Sequence, residues 1–325
     1  MKNLMLILAA WMLAIICTSC QKEDDPASGF KIEGLTFDNY PKTDGSTSTQ
    51  PLKMLVACKL LGVGYEWTHA PAFSGLLGEQ WLMPRREDIP ANYPDFFDER
   101  IKVSQTHGAF VNLIDRKVDL IMTHRTLSPD EKAYASEKGV TLTETSIALD
   151  AFVFIVHPDN PVKSLTADQI RDIYTRTVTN WRQVGGNDED IRAFVRPSNS
   201  GSQEVMESLV MKDAEIDDSF EASEILSMAG VFPEITHFPN GICYTFDYYK
   251  EKMMQVSHAE IPKLAVNGIF PNAATVANRT YPFVAEVHLA IRSDIDKNSM
   301  AYKLYELLQT AAGKNVIAES GYIPN

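Results

Sequence analysis

The chain has 325 residues, 45% of them hydrophobic and 10% aromatic, and its 43 acidic against 30 basic residues give a formal net charge of −13. That length buries a large core and favours two domains over one. The acidic balance excludes a nucleic-acid partner, whose binding needs a basic surface. It leaves room for an anionic ligand, because solvent screens the global field within about 8–10 Å while a buried site selects by local dipoles and hydrogen bonds.

The chain opens with Lys2, an apolar run over 4–16, and then Cys17-Thr18-Ser19-Cys20, the order of a secretion signal. The run is too short for an ordinary transmembrane helix. Cys20, ahead of the polar Gln21-Lys22-Glu23-Asp24-Asp25, resembles the acylated cysteine of a bacterial lipobox, although Cys17 stands where leucine is usual. The expectation is a signal peptide over 1–19 and a lipidated tether over 20–29; a plain signal cut near Ser28 or Gly29 is the alternative. Cleavage removes only the charge of Lys2, so −13 becomes −14 and 306 residues remain. The acidic run also resembles the signal that sends some lipoproteins outward, so the expected location is the cell envelope, periplasmic side or outer surface. Cys58 lies on an apolar helical face and Cys243 within a strand-like run; both are expected to be buried free thiols.

Beyond the tether, strand-like and helix-like periods alternate without internal repeat. Strands are predicted over 101–104, 118–123, 140–143, 151–156, 191–195, 242–246 and 284–291, with helices between several of them, which implies a mostly parallel sheet. Pro51 marks one helix start, and Thr166-Ala167-Asp168-Gln169 has capping-box spacing. A last helix is predicted over 299–312, closed by Gly313. The stretch 65–98 is irregular and rich in aromatics, among them Trp67 and Trp81, and reads as a functional loop or a covering flap.

Three segments share one design, in which a strand end runs into hydroxyl residues and glycine that open a helix. They are Asp44-Gly45-Ser46-Thr47-Ser48-Thr49, Ser104-Gln105-Thr106-His107-Gly108, and Arg196-Pro197-Ser198-Asn199-Ser200-Gly201-Ser202. Each offers free backbone N–H groups and hydroxyl donors at the positive end of a helix dipole. Singly such loops are ordinary caps. Three in one α/β chain, with Arg196 beside the third, point to an anion site where the carboxyl ends of the strands gather.

The pieces DGSTSTQPL (44–52), THGAFVNLIDRKVDLI (106–121), ALDAFVFIVHPDNPV (148–162), LTADQIRDIYTRTVTNWRQVGG (165–186), RPSNSGSQEVMESLVM (196–211), NGICYTF (240–246), NRTYPF (278–283) and SGYIP (320–324) cover most of the mature chain. In that order they resemble the phosphate-binding protein family of ABC-type phosphate importers. The resemblance implies an α/β, two-lobed periplasmic-binding-protein type II fold, with the ligand cleft between lobes joined by two crossing strands. The expected lobes are 30–154 with 276–325, and 155–275. It also implies a monomer that captures phosphate or a related oxyanion and delivers it to the membrane subunits of an ABC importer.

Carried over residue by residue, Thr47 and Ser48 match the family's first anion loop, Thr106 with its neighbour His107 the second, and Arg196, Ser200, Gly201 and Ser202 the third. The family places a proton-accepting aspartate where this chain reads His124-Arg125-Thr126-Leu127. Arg125 is therefore a candidate second clamp on the anion. Asp150 and Asp44 are candidate replacements for the acceptor, each weighed against a purely structural pairing.

No cofactor or metal is expected, since the seven histidines show no HExxH or similar ligand spacing, and no Gly-x-Ser-x-Gly elbow appears. Two further readings stand beside the binding protein. One is a hydrolase or phosphatase built in space from His107, His124 and a loop serine. The other is a surface lipoprotein that binds a host molecule or glycan through exposed Trp67 and Trp81.

Overall fold

The computed structural model describes residues 29–71 and 75–325. The predicted signal peptide, Cys20 and nearly all of the tether lie outside the described residues. No helix among the described residues is long and apolar enough to cross a membrane.

Among the described residues the main sheet has seven strands. Six run in the order Thr43–Gly45, Leu120–Thr123, Val284–Arg292, Leu142–Val156, Gly241–Phe246 and Arg192–Ala193, and Ile323–Pro324 pairs beside the long fourth strand. Only the outer pairs, Thr43–Gly45 with Leu120–Thr123 and Arg192–Ala193 with Gly241–Phe246, are parallel. The three inner pairings are antiparallel. The sheet is thus mixed, a correction to the mostly parallel sheet predicted.

Part of the difference lies in the long fourth strand. The segments 140–143 and 151–156 read as two strands because polar Thr143, Glu144 and Thr145 separate them. They belong to a single strand of 15 residues, half-exposed at its start and fully buried from Ile147 onward. The predicted strand over 101–104 shrinks to one bridge between Ile101 and Thr43.

The long strand changes partner midway. Residues 142–151 pair with Val284–Arg292, and residues 152–156 with Gly241–Phe246. The chain returns through the same place, where Phe152 N–H donates to Phe283 O at 2.9 Å and the Tyr281 hydroxyl to Phe152 O at 3.0 Å. Two α/β parts are therefore joined at this crossing. Around it Phe152, Phe154, Tyr174, Tyr244 and Phe246 form a chain of ring contacts at 5.3–6.3 Å.

Local signals formed as chemistry dictates. Pro51 sits in the first turn of helix Gln50–Leu61, which stops at Gly62 in the left-handed region (φ 70°). Thr166 and Gln169 close a capping box. The final helix breaks where continuity was predicted: Met300–Leu307 ends, and Thr310 caps a new helix, Ala311–Ser320, that contains Gly313. A Cβ on Gly313 would meet Leu307 O at 2.3 Å, so its role is close packing at the break rather than closure. Cys58 and Cys243 are buried and free. The aromatic stretch contains a hairpin, Tyr65–His69 with Gln80–Pro84, and the short helix Phe96–Arg100.

Candidate anion-binding cleft

The first loop follows strand Thr43–Gly45. Glycine is required at 45, because a Cβ there would meet Met122 O of the neighbouring strand at 2.2 Å. The chain then makes a single 3₁₀ turn, Thr47–Thr49, before helix Gln50–Leu61. The second loop leads into helix Gln105–Ile114 and the third into Gly201–Val205, where the Ser200 side chain accepts from Gln203 N–H. The three loops meet at a cavity of about 230 Å³ lined by Ser46, Thr47, Ser48, Thr106, Arg196, Ser200, Gly201 and Ser202. Seven of the nine predicted ligand-binding residues are in that set; Ser46 was missed.

Arg196 is buried, at 6% exposure. One guanidinium nitrogen, Nη2, donates to Leu226 O at 3.2 Å, and Nε has no hydrogen-bond partner. No carboxylate among the described residues forms an ion pair with it. Burial pushes its pKa down from the ordinary arginine value. A charge so placed calls for an anion from outside the fold.

The other two predicted ligands are turned away from the cavity. Arg125 does not line the cavity: its Nη1 and Nη2 donate to Glu131 Oε2 and Oε1 at 2.7 and 2.9 Å, a buried bidentate pair. His107 turns to the same carboxylate, Nδ1 to Oε1 at 3.0 Å. Glu131 is held there by the capping box of helix Pro129–Glu137. Arg125 still reaches toward the third loop, with Nη2 3.4 Å from Asn199 O.

Neither candidate acceptor faces the cavity directly. Asp44 accepts from Gly45 N–H, Ser104 N–H and Asn112 Nδ2 at 2.7–2.8 Å, which braces the first loop against the second. Asp150 Oδ1 accepts from Ala151 and Tyr248 N–H, and its Oδ2 lies 3.1 Å from His124 Nε2. His124 is buried, stacked on Phe246 at 4.0 Å, with Nδ1 3.0 Å from Ser48 Oγ. The hydrolase constellation is therefore split, since His107 and His124 serve different carboxylates.

The remaining walls include Gln105 of the second segment, Ser227, Met228 and Tyr249, and Glu79 and Trp81 of the aromatic stretch. Glu79 is buried and accepts from the Tyr249 hydroxyl at 2.8 Å. Trp81 faces the cleft, whereas Trp67 is 43% exposed on the hairpin. Among the described residues no group of three or more His, Cys, Asp or Glu could hold a metal ion.

Two α/β lobes with hydroxyl loops and a buried guanidinium meeting at a cleft define a solute receptor of the periplasmic-binding-protein class. A family described as the PBP superfamily domain matches residues 35–301, and the chain belongs to it. It is 26% identical over 199 residues to the phosphate-binding protein PstS of Bacillus subtilis (strain 168), covering 59% of this chain and 62% of that one. It is 23% identical over 232 residues to protein SphX of Synechococcus elongatus, covering 69% and 68%. The chain thus spans about three-fifths to two-thirds of these relatives. Its fold is similar to a putative phosphate ABC transporter substrate-binding protein from Clostridium perfringens, solved with bound phosphate. That match has a TM-score of 0.61 and 20% identity, and covers 90% of this chain and 100% of that one. An ABC-type phosphate transport receptor from Vibrio cholerae gives 0.58 and 21%, covering 87% and 99%.

Proposed function

We propose that this protein captures phosphate, or a closely related oxyanion, outside the cytoplasm and presents it to the membrane subunits of an ABC importer. It acts as a monomeric binding protein without turnover, held to the envelope through a lipid on Cys20. The observation that carries the reading is Arg196, a buried guanidinium without a carboxylate partner, set among hydroxyl loops from both sides of a cleft. Thr47, Ser48, Thr106, Ser200, Gly201 and Ser202 supply the other donors, with Ser46 added to them. Charge-assisted hydrogen bonds contribute roughly 1.5–3 kcal/mol each, so a few in surplus reach the about −8 kcal/mol of a micromolar site. The relatives named for phosphate support the choice of anion.

The lobes are 30–154 with 276–325, and 155–275, and ligand closes the cleft about the crossing where the long strand changes partner. Calorimetric titration of the purified protein with phosphate, sulfate and arsenate tests the reading. Saturable phosphate binding at micromolar or lower concentration is expected, and its absence overturns the proposal.

A further inference from the structure

A hydroxyl has one proton, and the destination of that proton decides what its oxygen shows to a ligand. Ser48 lines the cleft with its Oγ 3.0 Å from His124 Nδ1. The other ring nitrogen, Nε2, faces two oxygens. One is Asp150 Oδ2 at 3.1 Å; the other is the Tyr322 hydroxyl at 3.4 Å, whose own proton is donated to Ser48 O at 2.8 Å. Both offer lone pairs, so the hydrogen-bond network assigns the imidazole proton to Nε2. Two backbone N–H donors, from Ala151 and Tyr248, hold Asp150 Oδ1 and keep the carboxylate aimed at the ring.

A neutral ring protonated at Nε2 has a lone pair at Nδ1. Ser46 does not fill it, since its Oγ is 3.5 Å away and donates to Thr49 Oγ1, and at 3.4 Å from Ser48 Oγ it is a poorer acceptor for the Ser48 proton than Nδ1 at 3.0 Å. The Ser48 proton therefore goes to Nδ1, and the Ser48 lone pairs face the cleft.

We propose that the Asp150–His124–Ser48 relay makes Ser48 a hydrogen-bond acceptor in a cleft otherwise rich in donors, selecting oxyanions that carry a proton over fully ionised ones. The inference rests on the reading of the cleft as an oxyanion site. Near neutrality phosphate retains a proton that it donates to Ser48 Oγ. Sulfate has none and sets lone pair against lone pair. Asp150 acts as a positioning residue at two removes, and His124 transmits the polarity. Glu79, the carboxylate on the cleft wall, is the competing acceptor.

Titrations with phosphate and sulfate, on the wild type and on Asp150→Asn and Glu79→Gln, separate these roles. Asparagine at 150 offers an amide N–H to Nε2, moves the ring proton to Nδ1 and turns Ser48 into a donor with little change of shape. The wild type is expected to prefer phosphate, with the preference narrowed about tenfold or more in Asp150→Asn and kept in Glu79→Gln. An unchanged ratio in Asp150→Asn overturns the relay, and a collapse in Glu79→Gln alone assigns the acceptor to Glu79 instead. A wild type that binds both anions equally overturns the relay while leaving the oxyanion site standing; one that binds neither overturns both. If Asp150→Asn does not fold, the ¹⁵N resonances of the His124 ring in the wild type decide. A bare Nδ1 with protonated Nε2 supports the relay, and a protonated Nδ1 overturns it.

Discussion

Arg125 and Arg196 are near twins by local criteria. Each sits beside a hydroxyl-rich loop, they are 8% and 6% exposed, and each has an Nε without a partner. They differ in one respect: Arg125 meets Glu131 through two hydrogen bonds, whereas no carboxylate among the described residues forms an ion pair with Arg196. A buried guanidinium cannot shed its proton, so its charge must be matched by the fold or by a ligand. The first arginine is matched by the fold; on the proposed reading the second is matched by the anion. Lys53 is a third buried cation with a third answer. Its pKa is lowered to about 7 by burial, against the opposing pull of Asp44, so part of its population gives up the charge.

Removing the partner of Arg125 should have the largest effect. Glu131→Ala strands a buried charge and frees the Ser128 cap, and a loss of about 3–5 kcal/mol of stability is expected in denaturant titrations. A loss below about 1 kcal/mol would show that Arg125 is not matched by Glu131 after all.

Next in size is Lys53, where the effect depends on pH. Its folded pKa, about 7, lies below the ordinary lysine value of 10.5, so between them the folded state binds fewer protons than the unfolded state. Stability then rises with pH through that window, and the whole cost is present below it. Between pH 7 and 9 the wild type should gain about 2–3 kcal/mol over Lys53→Met. Parallel pH curves for the two proteins would show that Lys53 keeps its full charge in the fold.

Arg196→Ala should do the opposite of Glu131→Ala. Phosphate binding weakens by well over about tenfold, or about 2 kcal/mol, with little loss of stability. Wild-type affinity in this variant would rule out its role.

What the sequence revealed follows from how local each signal is. Hydroxyl loops, the Thr166 box and Pro51 depend on residues within one turn, and each appears where its spacing predicts. Arg125 misled because its partner, Glu131, lies six positions on in the first turn of the next helix, across a loop whose course spacing does not fix. The long strand was hidden by its half-exposed, polar first turn of residues. Glu79 and Tyr249 carry no motif, and although His124 and Trp81 were singled out, only the third dimension brings His124 behind Ser48 and the others onto the cleft wall.

The smallest effect concerns where the two sides of the cleft touch. Gly201 belongs to the third loop and Thr106 to the second, and a Cβ on Gly201 would lie 2.3 Å from Thr106 Oγ1 and 3.2 Å from its Cβ. Rotating the hydroxyl relieves the first contact but not the second, because the Cβ moves only with the backbone. Alanine at 201 therefore acts as a wedge between the loops. It does not weaken its own helix, where alanine is favoured over glycine by about 0.5–1 kcal/mol. Gly201→Ala should lower phosphate affinity about tenfold at unchanged or slightly raised stability. Scattering from the phosphate-saturated variant should show a larger radius of gyration than from the saturated wild type. Full affinity with a wild-type radius would mean that the loops have slack and that the donors of Arg196 and Thr106 need not close on the anion together.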